Sequence, residues 1–332
     1  MSRTTRTIDS PLIPSRRMKN LIIAVGDLHG HYLALERILD ALQEKYGVFL
    51  DGGRDRLRAG VQFVFTGDYI DRGRHALKII DRLQGMARQN PGQVIALLGN
   101  HELMALECYD EAVALLTRSA AGSARGVVAA YGRLTGHGIN GGIEFIREFG
   151  STSLPALESY VARMARTGDI GQWMRMLLPA YRIRIAGRDV LFTHADLPSE
   201  YRDKKTLDNH LRWIDEHMKA STLGFGGSRA KWAHRRLAGI FWNRTFGELA
   251  SGSQSQIAVL CRNVGVDFIV TGHTPHRAIT VYGKRIFDID AGMTPRCGGN
   301  MPQALVFSRK GIVGLRADGT GRELVRFGAS TT

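Results

Sequence analysis

Three short motifs in the first third of the chain carry side chains that bind divalent metal ions. They are Gly26–Gly30 (GDLHG), Gly67–Gly73 (GDYIDRG) and Gly99–Glu102 (GNHE). Carboxylates, an amide oxygen and imidazoles are ligands that suit manganese, iron or zinc. One shared carboxylate can hold two such ions roughly 3.5–4 Å apart beside a phosphate ester. The motifs therefore predict a two-metal centre that hydrolyses phosphate esters.

Each motif directly follows an apolar run of strand character, at residues 21–25, 61–65 and 94–98. After the first two motifs, apolar side chains recur with helical spacing over residues 33–42 and 76–83. This alternation predicts a β-α-β-α-β unit with parallel strands. Sites in such sheets form beyond the carboxyl ends of the strands, so the three motifs are expected to converge there.

Two histidines extend the pattern further along the chain. His194 follows the apolar run 189–193, and His273 follows the run 267–271. Further strands are predicted at residues 285–289, 304–308 and 312–316. Short glycine-containing turns between the last of them predict antiparallel pairs. The whole pattern predicts a layered α/β sandwich.

The predicted ligands divide between two metal ions. Asp68 is the natural bridge, and Asp27 and His29, which alternate along one extended segment, can bind the first ion with it. The second ion would then be bound by Asn100, His194 and His273. Two carboxylates against two dications leave a formal charge of about +2, which favours a bound phosphate.

Residues beside the ligands are predicted to handle the proton and the phosphate. His101 is assigned as the general acid that protonates the leaving oxygen and contacts the phosphate, with Asp71 orienting it and raising its pKa. Arg72 can hold two phosphate oxygens through its guanidinium fork. Glu102 is expected to support the metal-binding loop rather than to bind a metal ion.

Composition limits the class of protein. The 332 residues, 44% of them hydrophobic and 23% charged, can bury a sizeable core. A net charge of +14 attracts anions, but the basic residues are spread along the chain, so nucleic acid is not the expected partner. The three cysteines form no Cys-x-x-Cys pair, which indicates reduced thiols. Without a membrane-spanning apolar run, the chain is expected to be soluble and cytoplasmic.

We expect one domain over residues 19–320. A helical cap insertion is predicted at about residues 103–181, and a second insertion at about residues 201–248. Residues 1–18 are expected to be a flexible segment, and Met18 could be an alternative start.

The three motifs are similar to the signature of the phosphoprotein phosphatase family of calcineurin-like metallophosphoesterases. The resemblance covers about residues 20–316 and has the character of bacterial, Shewanella-like members. It implies a layered α/β/β/α sandwich of mixed sheets with helical insertions, and direct attack on a phosphomonoester by a metal-bridging hydroxide. The same ligands and the same acid pair are implied. A second phosphate-binding arginine is implied at Arg244.

The chain departs from the family pattern at Asp196, where members usually have glycine two residues after the metal-binding histidine, and in its long insertion after Glu102. The substrate therefore stays open between phosphoproteins and small phosphomonoesters. A hydrolase of dinucleoside polyphosphates is the alternative enzyme. A non-catalytic metal- or phosphate-binding protein is disfavoured because every predicted ligand is present. The identity of the metals and the oligomeric state stay open.

Overall fold

The structure is a computed structural model, and it describes residues 20–50, 54–119, 141–150, 154–198, 201, 203–220, 239–248 and 254–328. Residues 1–18, with Met18, lie outside this part of the chain. No helix within the described ranges is long and apolar enough to cross a membrane.

The metal-binding motifs belong to a six-stranded mixed sheet of order β11-β10-β9-β1-β2-β3. Its parallel strands are β1 (Leu21–Val25), β2 (Val61–Phe65) and β3 (Val94–Ala96). The antiparallel strands are β9 (Gln303–Ser308), β10 (Gly311–Arg316) and β11 (Gly321–Arg326). The predicted antiparallel pairing near the end of the chain is confirmed.

The two later histidines belong to a five-stranded sheet of order β4-β5-β6-β8-β7. Its strands are β4 (Ala180–Ile185), β5 (Arg188–Thr193), β6 (Phe268–Thr271), β7 (Thr280–Tyr282) and β8 (Ile286–Asp288). Strands β5, β6 and β8 are parallel, and β4 and β7 pair antiparallel at the two edges.

The side chains of the central strands alternate between two cores, as the period of two in a strand requires. In β1, Ile22 and Ala24 pack in the core between the two sheets, whereas Ile23 and Val25 pack against helices. In β6, Val270 faces the first core and Ile269 the second. Both sheets are thus buried on both faces, and the predicted α/β/β/α sandwich of mixed sheets is confirmed.

Helices cover the outer faces of the sheets and occupy much of the described chain between β3 and β4 and between β5 and β6. They are α1 (Tyr32–Tyr46), α2 (Ala76–Gln89), α3 (Asn100–Ser119), α4 (Gly142–Arg147), α5 (Leu154–Met164), α6 (Asp169–Arg175), α7 (Lys204–Ala220) and α8 (Gln254–Asn263). Residues 154–175 form two helices, α5 and α6. Gly168 takes an extended conformation immediately before α6 and separates it from α5.

Three strands were missed by the sequence pattern. In β4, apolar residues alternate with Arg182 and Arg184, so the strand resembles a charged surface segment. Strand β7 is only three residues long. Strand β11 lies beyond residue 320, where we placed the end of the domain, and pairs with β10 at the edge of the first sheet.

Candidate metal centre

All six predicted metal ligands lie where strands end, at one edge of the two sheets. Asp27 and His29 follow β1, Asp68 follows β2, Asn100 follows β3, and His194 and His273 follow β5 and β6. Each of these side chains is at most 5% exposed. The loops that carry Asp68 and Asn100 lie close together because Gly99 has no side chain. A Cβ at Gly99 would overlap the backbone nitrogen and the carboxylate of Asp68. The structure therefore gathers the predicted ligands from five segments of the chain.

Asp68 lies between two groups of potential ligands. Its Oδ2 is 3.5 Å from Nε2 of His29, and its Oδ1 is 3.4 Å from Nε2 of His194. Two clusters whose ligand atoms all lie within 4.8 Å of one another share this aspartate: His29, Asp68 and His101, and Asp68, His194 and His273. Burial would raise the pKa of Asp68, but the surrounding imidazoles outweigh it and hold that pKa below its usual value. A carboxylate in this position can bridge two cations.

The second cluster has the arrangement expected around a cation. Nδ1 of His194 donates to the carbonyl oxygen of Thr66 (2.8 Å), so Nε2 carries the lone pair. Oδ1 of Asn100 lies 2.9 Å from that Nε2 and 3.1 Å from Nδ1 of His273. If the side-chain amide of Asn100 were rotated by 180°, its nitrogen would donate to both imidazoles and its oxygen would accept from Nε1 of Trp242. A divalent ion favours the orientation with the oxygen inward.

The first cluster shows the same control of the ring nitrogens. Nδ1 of His29 donates to the carbonyl oxygen of Ile70 (3.0 Å), which turns its Nε2 toward Asp68. Burial is the main reason that the pKa of His29 falls to about 3 and the pKa of His273 falls to about 2. Both imidazoles are therefore neutral at physiological pH, the state in which they bind metals.

Asp27 is buried beside this cluster but outside the set of atoms within 4.8 Å. Its carboxylate accepts the backbone N–H of His273, with N···O distances of 3.0 and 3.2 Å. Burial, together with the charges of Asp290 and Asp68, raises the pKa of Asp27 well above its usual value. A nearby cation would offset this accumulation of negative charge. The donor set thus fits divalent ions.

His101 and Asp71 form a buried hydrogen-bonded pair. Nδ1 of His101 donates to Oδ2 of Asp71 at 2.6 Å, and both side chains are at most 1% exposed. Burial alone would lower the pKa of His101, but Asp68 and Asp71 outweigh it and raise that pKa above its usual value. Asp71 therefore fixes the orientation of the ring, and the raised pKa favours the protonated form that a general acid needs.

The Arg72 guanidinium contacts both histidines of the first cluster. Nη1 donates to Nε2 of His29 (2.9 Å) and to Sγ of Cys297 (2.9 Å). Nη2 lies 3.2 Å from Nε2 of His101. The contact with Cys297 was not predicted, because no sequence pattern links residues so far apart. The fork of donors is in place for an anion next to His101.

Glu102 supports the loop that carries Asp68, as the sequence predicted. Its carboxylate accepts the backbone N–H groups of Asp68 (2.9 Å), Tyr69 (2.8 Å), Ile70 (3.3 Å) and Gly99 (3.1 Å). The side chain is fully buried. Glu102 therefore connects the second motif, Gly67–Gly73, to the third motif, Gly99–Glu102.

Replacing Glu102 with alanine is expected to destabilise the fold by about 3 kcal/mol or more, because each buried N–H left without an acceptor costs about 1–3 kcal/mol. The midpoint of urea unfolding measures this loss. Glu158→Ala, on the exposed face of α5, is the matched control and should leave the midpoint nearly unchanged. Equal midpoints for the two variants would contradict the supporting role of Glu102.

Asp196 fastens the segment that carries Arg244 to the end of β5. Its Oδ2 accepts the backbone N–H of Phe246 (2.7 Å), and its own N–H donates to the carbonyl oxygen of Asn243 (3.3 Å). Arg244, between these two anchors, is exposed. Its positive charge adds to burial in lowering the pKa values of His194 and His273, so it lies near the second cluster. Sequence reasoning flagged Asp196 as unusual but missed this contact.

Comparison with known proteins agrees with the fold. The family model described as calcineurin-like phosphoesterase matches residues 21–277. Shewanella-like protein phosphatase 2 of Arabidopsis thaliana is 24% identical over an alignment of 322 positions, which covers 87% of this chain and 75% of that protein. Serine/threonine-protein phosphatase PP1-delta of Caenorhabditis elegans is 33% identical over 85 residues, which are 26% of this chain and 24% of that protein.

Among solved structures, the cold-active protein-tyrosine phosphatase of a psychrophilic Shewanella species superposes with a TM-score of 0.62. It is 20% identical, and the match covers 97% of this chain and 86% of that one. A likeness at this level of identity shows the shared fold.

The chain therefore belongs to the calcineurin-like phosphoesterase family. It is a metal-dependent phosphoester hydrolase. The predicted resemblance to Shewanella-like phosphatases is confirmed by these relatives.

Proposed function

We propose that this chain is a phosphatase that uses two divalent metal ions, manganese foremost, to hydrolyse phosphomonoesters. The observation that carries the proposal is the position of Asp68 between two clusters of imidazoles, each within reach of a separate oxygen of its carboxylate. Two bound ions would supply Lewis acidity and a water that ionises at neutral pH. Asp27, His29 and Asp68 are proposed to hold the first ion. Asn100, His194 and His273, with Asp68, are proposed to hold the second.

The chain's own residues then bind the phosphate and donate a proton to the leaving oxygen. Arg72 offers two guanidinium nitrogens to phosphate oxygens beside His101. His101, held by Asp71, gives its Nε2 proton to the leaving oxygen. Direct displacement by an activated water needs no nucleophilic side chain, and none is assigned. Relatives named as protein phosphatases favour a monoester as the substrate class.

The proposal is tested with p-nitrophenyl phosphate and its diester, bis-p-nitrophenyl phosphate. Purified chain loaded with Mn(II) should hydrolyse the monoester far faster than the diester, because a diester presents one fewer charged oxygen to the arginines and the metals. Equal rates on the two compounds would contradict a phosphomonoesterase. No turnover of either, with two metal ions bound per chain, would favour a binding protein.

Arg244 is proposed as the second phosphate-binding arginine, with Asp196 as the residue that positions it. Asp196→Ala is expected to raise KM for p-nitrophenyl phosphate about tenfold and to leave the metal content unchanged, because the Arg244 segment loses its anchor. Asp196→Asn keeps an acceptor oxygen for Phe246 N–H and should recover most of the loss. In an Arg244→Ala background, the Asp196→Ala change should have little further effect. Additive effects of the two substitutions would contradict the assignment.

A further inference from the structure

Three arginines gather around one buried carboxylate at the rim of the metal centre. Nη2 of Arg296 lies 3.0 Å and Nη1 of Arg147 lies 3.2 Å from Oε1 of Glu144, and Nε of Arg74 lies 3.9 Å from its Oε2. The Glu144 side chain is 7% exposed, whereas the arginines are 54%, 51% and 83% exposed. We call Arg74, Arg147 and Arg296 the arginine rim.

The arginine rim adjoins the proposed phosphate-binding residue Arg72. Arg74 is two residues further along the chain, and Arg296 precedes Cys297, whose Sγ accepts from Nη1 of Arg72 at 2.9 Å. The third arginine, Arg147, stands on α4, a helix that begins just after Gly141. The carbonyl oxygen of Gly141 accepts the Arg72 backbone N–H. The three arginines of the rim therefore all lie on the side of the metal centre that Arg72 occupies.

The rim holds more positive charge and more donors than Glu144 can satisfy. Three guanidinium groups offer five N–H donors each, whereas a carboxylate has two oxygens. The neighbouring carboxylate of Glu148 accepts the backbone N–H groups of Ala76 and Leu77 at the start of α2. Counted over the described residues, the rim therefore keeps a surplus of about two positive charges in contact with solvent.

The spacing of the rim indicates the shape of its ligand. All three arginines lie within 3.9 Å of one carboxylate, so they surround a single point instead of following a groove. A compact dianion with several oxygens fits such a point, because guanidinium forks bind phosphate oxygens in pairs. An extended acidic peptide would need basic residues in a row.

We propose that the arginine rim binds a second phosphate group of the substrate while the metal centre hydrolyses the first. The preferred substrates would then be small molecules that carry two phosphate groups. This inference rests on the proposed function, since it assumes that a phosphomonoester binds at Arg72.

The test compares propyl phosphate with the bisphosphates of 1,3-propanediol, 1,4-butanediol and 1,6-hexanediol, all at fixed free Mn(II). At least one bisphosphate should show kcat/KM about tenfold above that of propyl phosphate, the size expected for an added charge-assisted contact. Arg147→Gln combined with Arg296→Gln should abolish this advantage and leave propyl phosphate turnover unchanged. Arg184→Gln, which removes an exposed arginine from β4, is the control and should keep the advantage.

A second measurement needs only the unaltered chain. Sodium chloride should raise KM for the favoured bisphosphate more steeply than KM for propyl phosphate, because screening weakens contacts between exposed charges. The inference is overturned if no bisphosphate is preferred, if the preference survives in the double variant, or if an acidic phosphopeptide gains from the rim and bisphosphates do not. In each of these outcomes propyl phosphate is still hydrolysed. Failure of the proposed function would instead appear as no hydrolysis of propyl phosphate.

Discussion

Replacing Asp68 with alanine is expected to lower the metal content from two ions per chain to one or none. It should also reduce kcat/KM for p-nitrophenyl phosphate by at least about 10³-fold. The carboxylate lies within 3.5 Å of imidazole nitrogens from both clusters, so its removal deprives both ions of a ligand. A bound metal contributes several kcal/mol of transition-state stabilisation, and about 4 kcal/mol corresponds to a thousandfold in rate.

The matched control for this change is Asp189→Asn. Asp189 is a half-exposed carboxylate near the beginning of β5, whereas the ligand His194 follows the end of that strand. The control variant should keep two metal ions and full activity. An Asp68→Ala protein that still binds two ions and turns over normally would contradict the assignment of Asp68 as the bridge.

His101→Asn is expected to keep both metal ions and to lower kcat by about 10²–10⁴-fold, the range for loss of a general acid. The loss should be largest for alkyl phosphates, whose leaving oxygen needs a proton, and smallest for p-nitrophenyl phosphate. Rates across a series of aryl and alkyl phosphates, with metal analysis of each sample, measure the effect. An equal loss on good and poor leaving groups would remove His101 from the role of acid.

The Asp71–His101 pair also predicts a pH dependence. Asp68 and Asp71 raise the pKa of His101, and a general acid works only while protonated. The rate should therefore be sustained below this raised pKa and fall as pH rises through it. Asp71→Asn removes a negative charge and lowers that pKa, so the fall should begin at a lower pH. A pH profile of kcat on an alkyl phosphate that is the same in both proteins would contradict the pairing.

Much of this site could be predicted from sequence because each ligand follows its strand directly. Asp27 after β1, Asp68 after β2 and His273 after β6 need only a local pattern and the rule that parallel strands end at one edge. The sandwich followed from the same runs, since strands buried on both faces are apolar throughout. Strand β4 was not predicted because its arginines alternate with its apolar residues.

The contacts that sequence could not supply join residues far apart in the chain. Asp196 meets Phe246 across 50 positions, and Arg72 meets Cys297 across 225. The arginine rim likewise combines Arg74, Arg147 and Arg296 around Glu144. Such contacts depend on how loops and helices that are distant in the chain pack against the sheet edge, which no periodicity or motif specifies.

The central claim is that one carboxylate, Asp68, joins two metal ions. Electron paramagnetic resonance of the Mn(II)-loaded protein tests it most directly, because two manganese ions that share a bridging ligand are magnetically coupled. The account predicts two Mn(II) ions per chain and the spectrum of a coupled pair. A single bound ion, or two ions with the spectrum of isolated Mn(II), would contradict it.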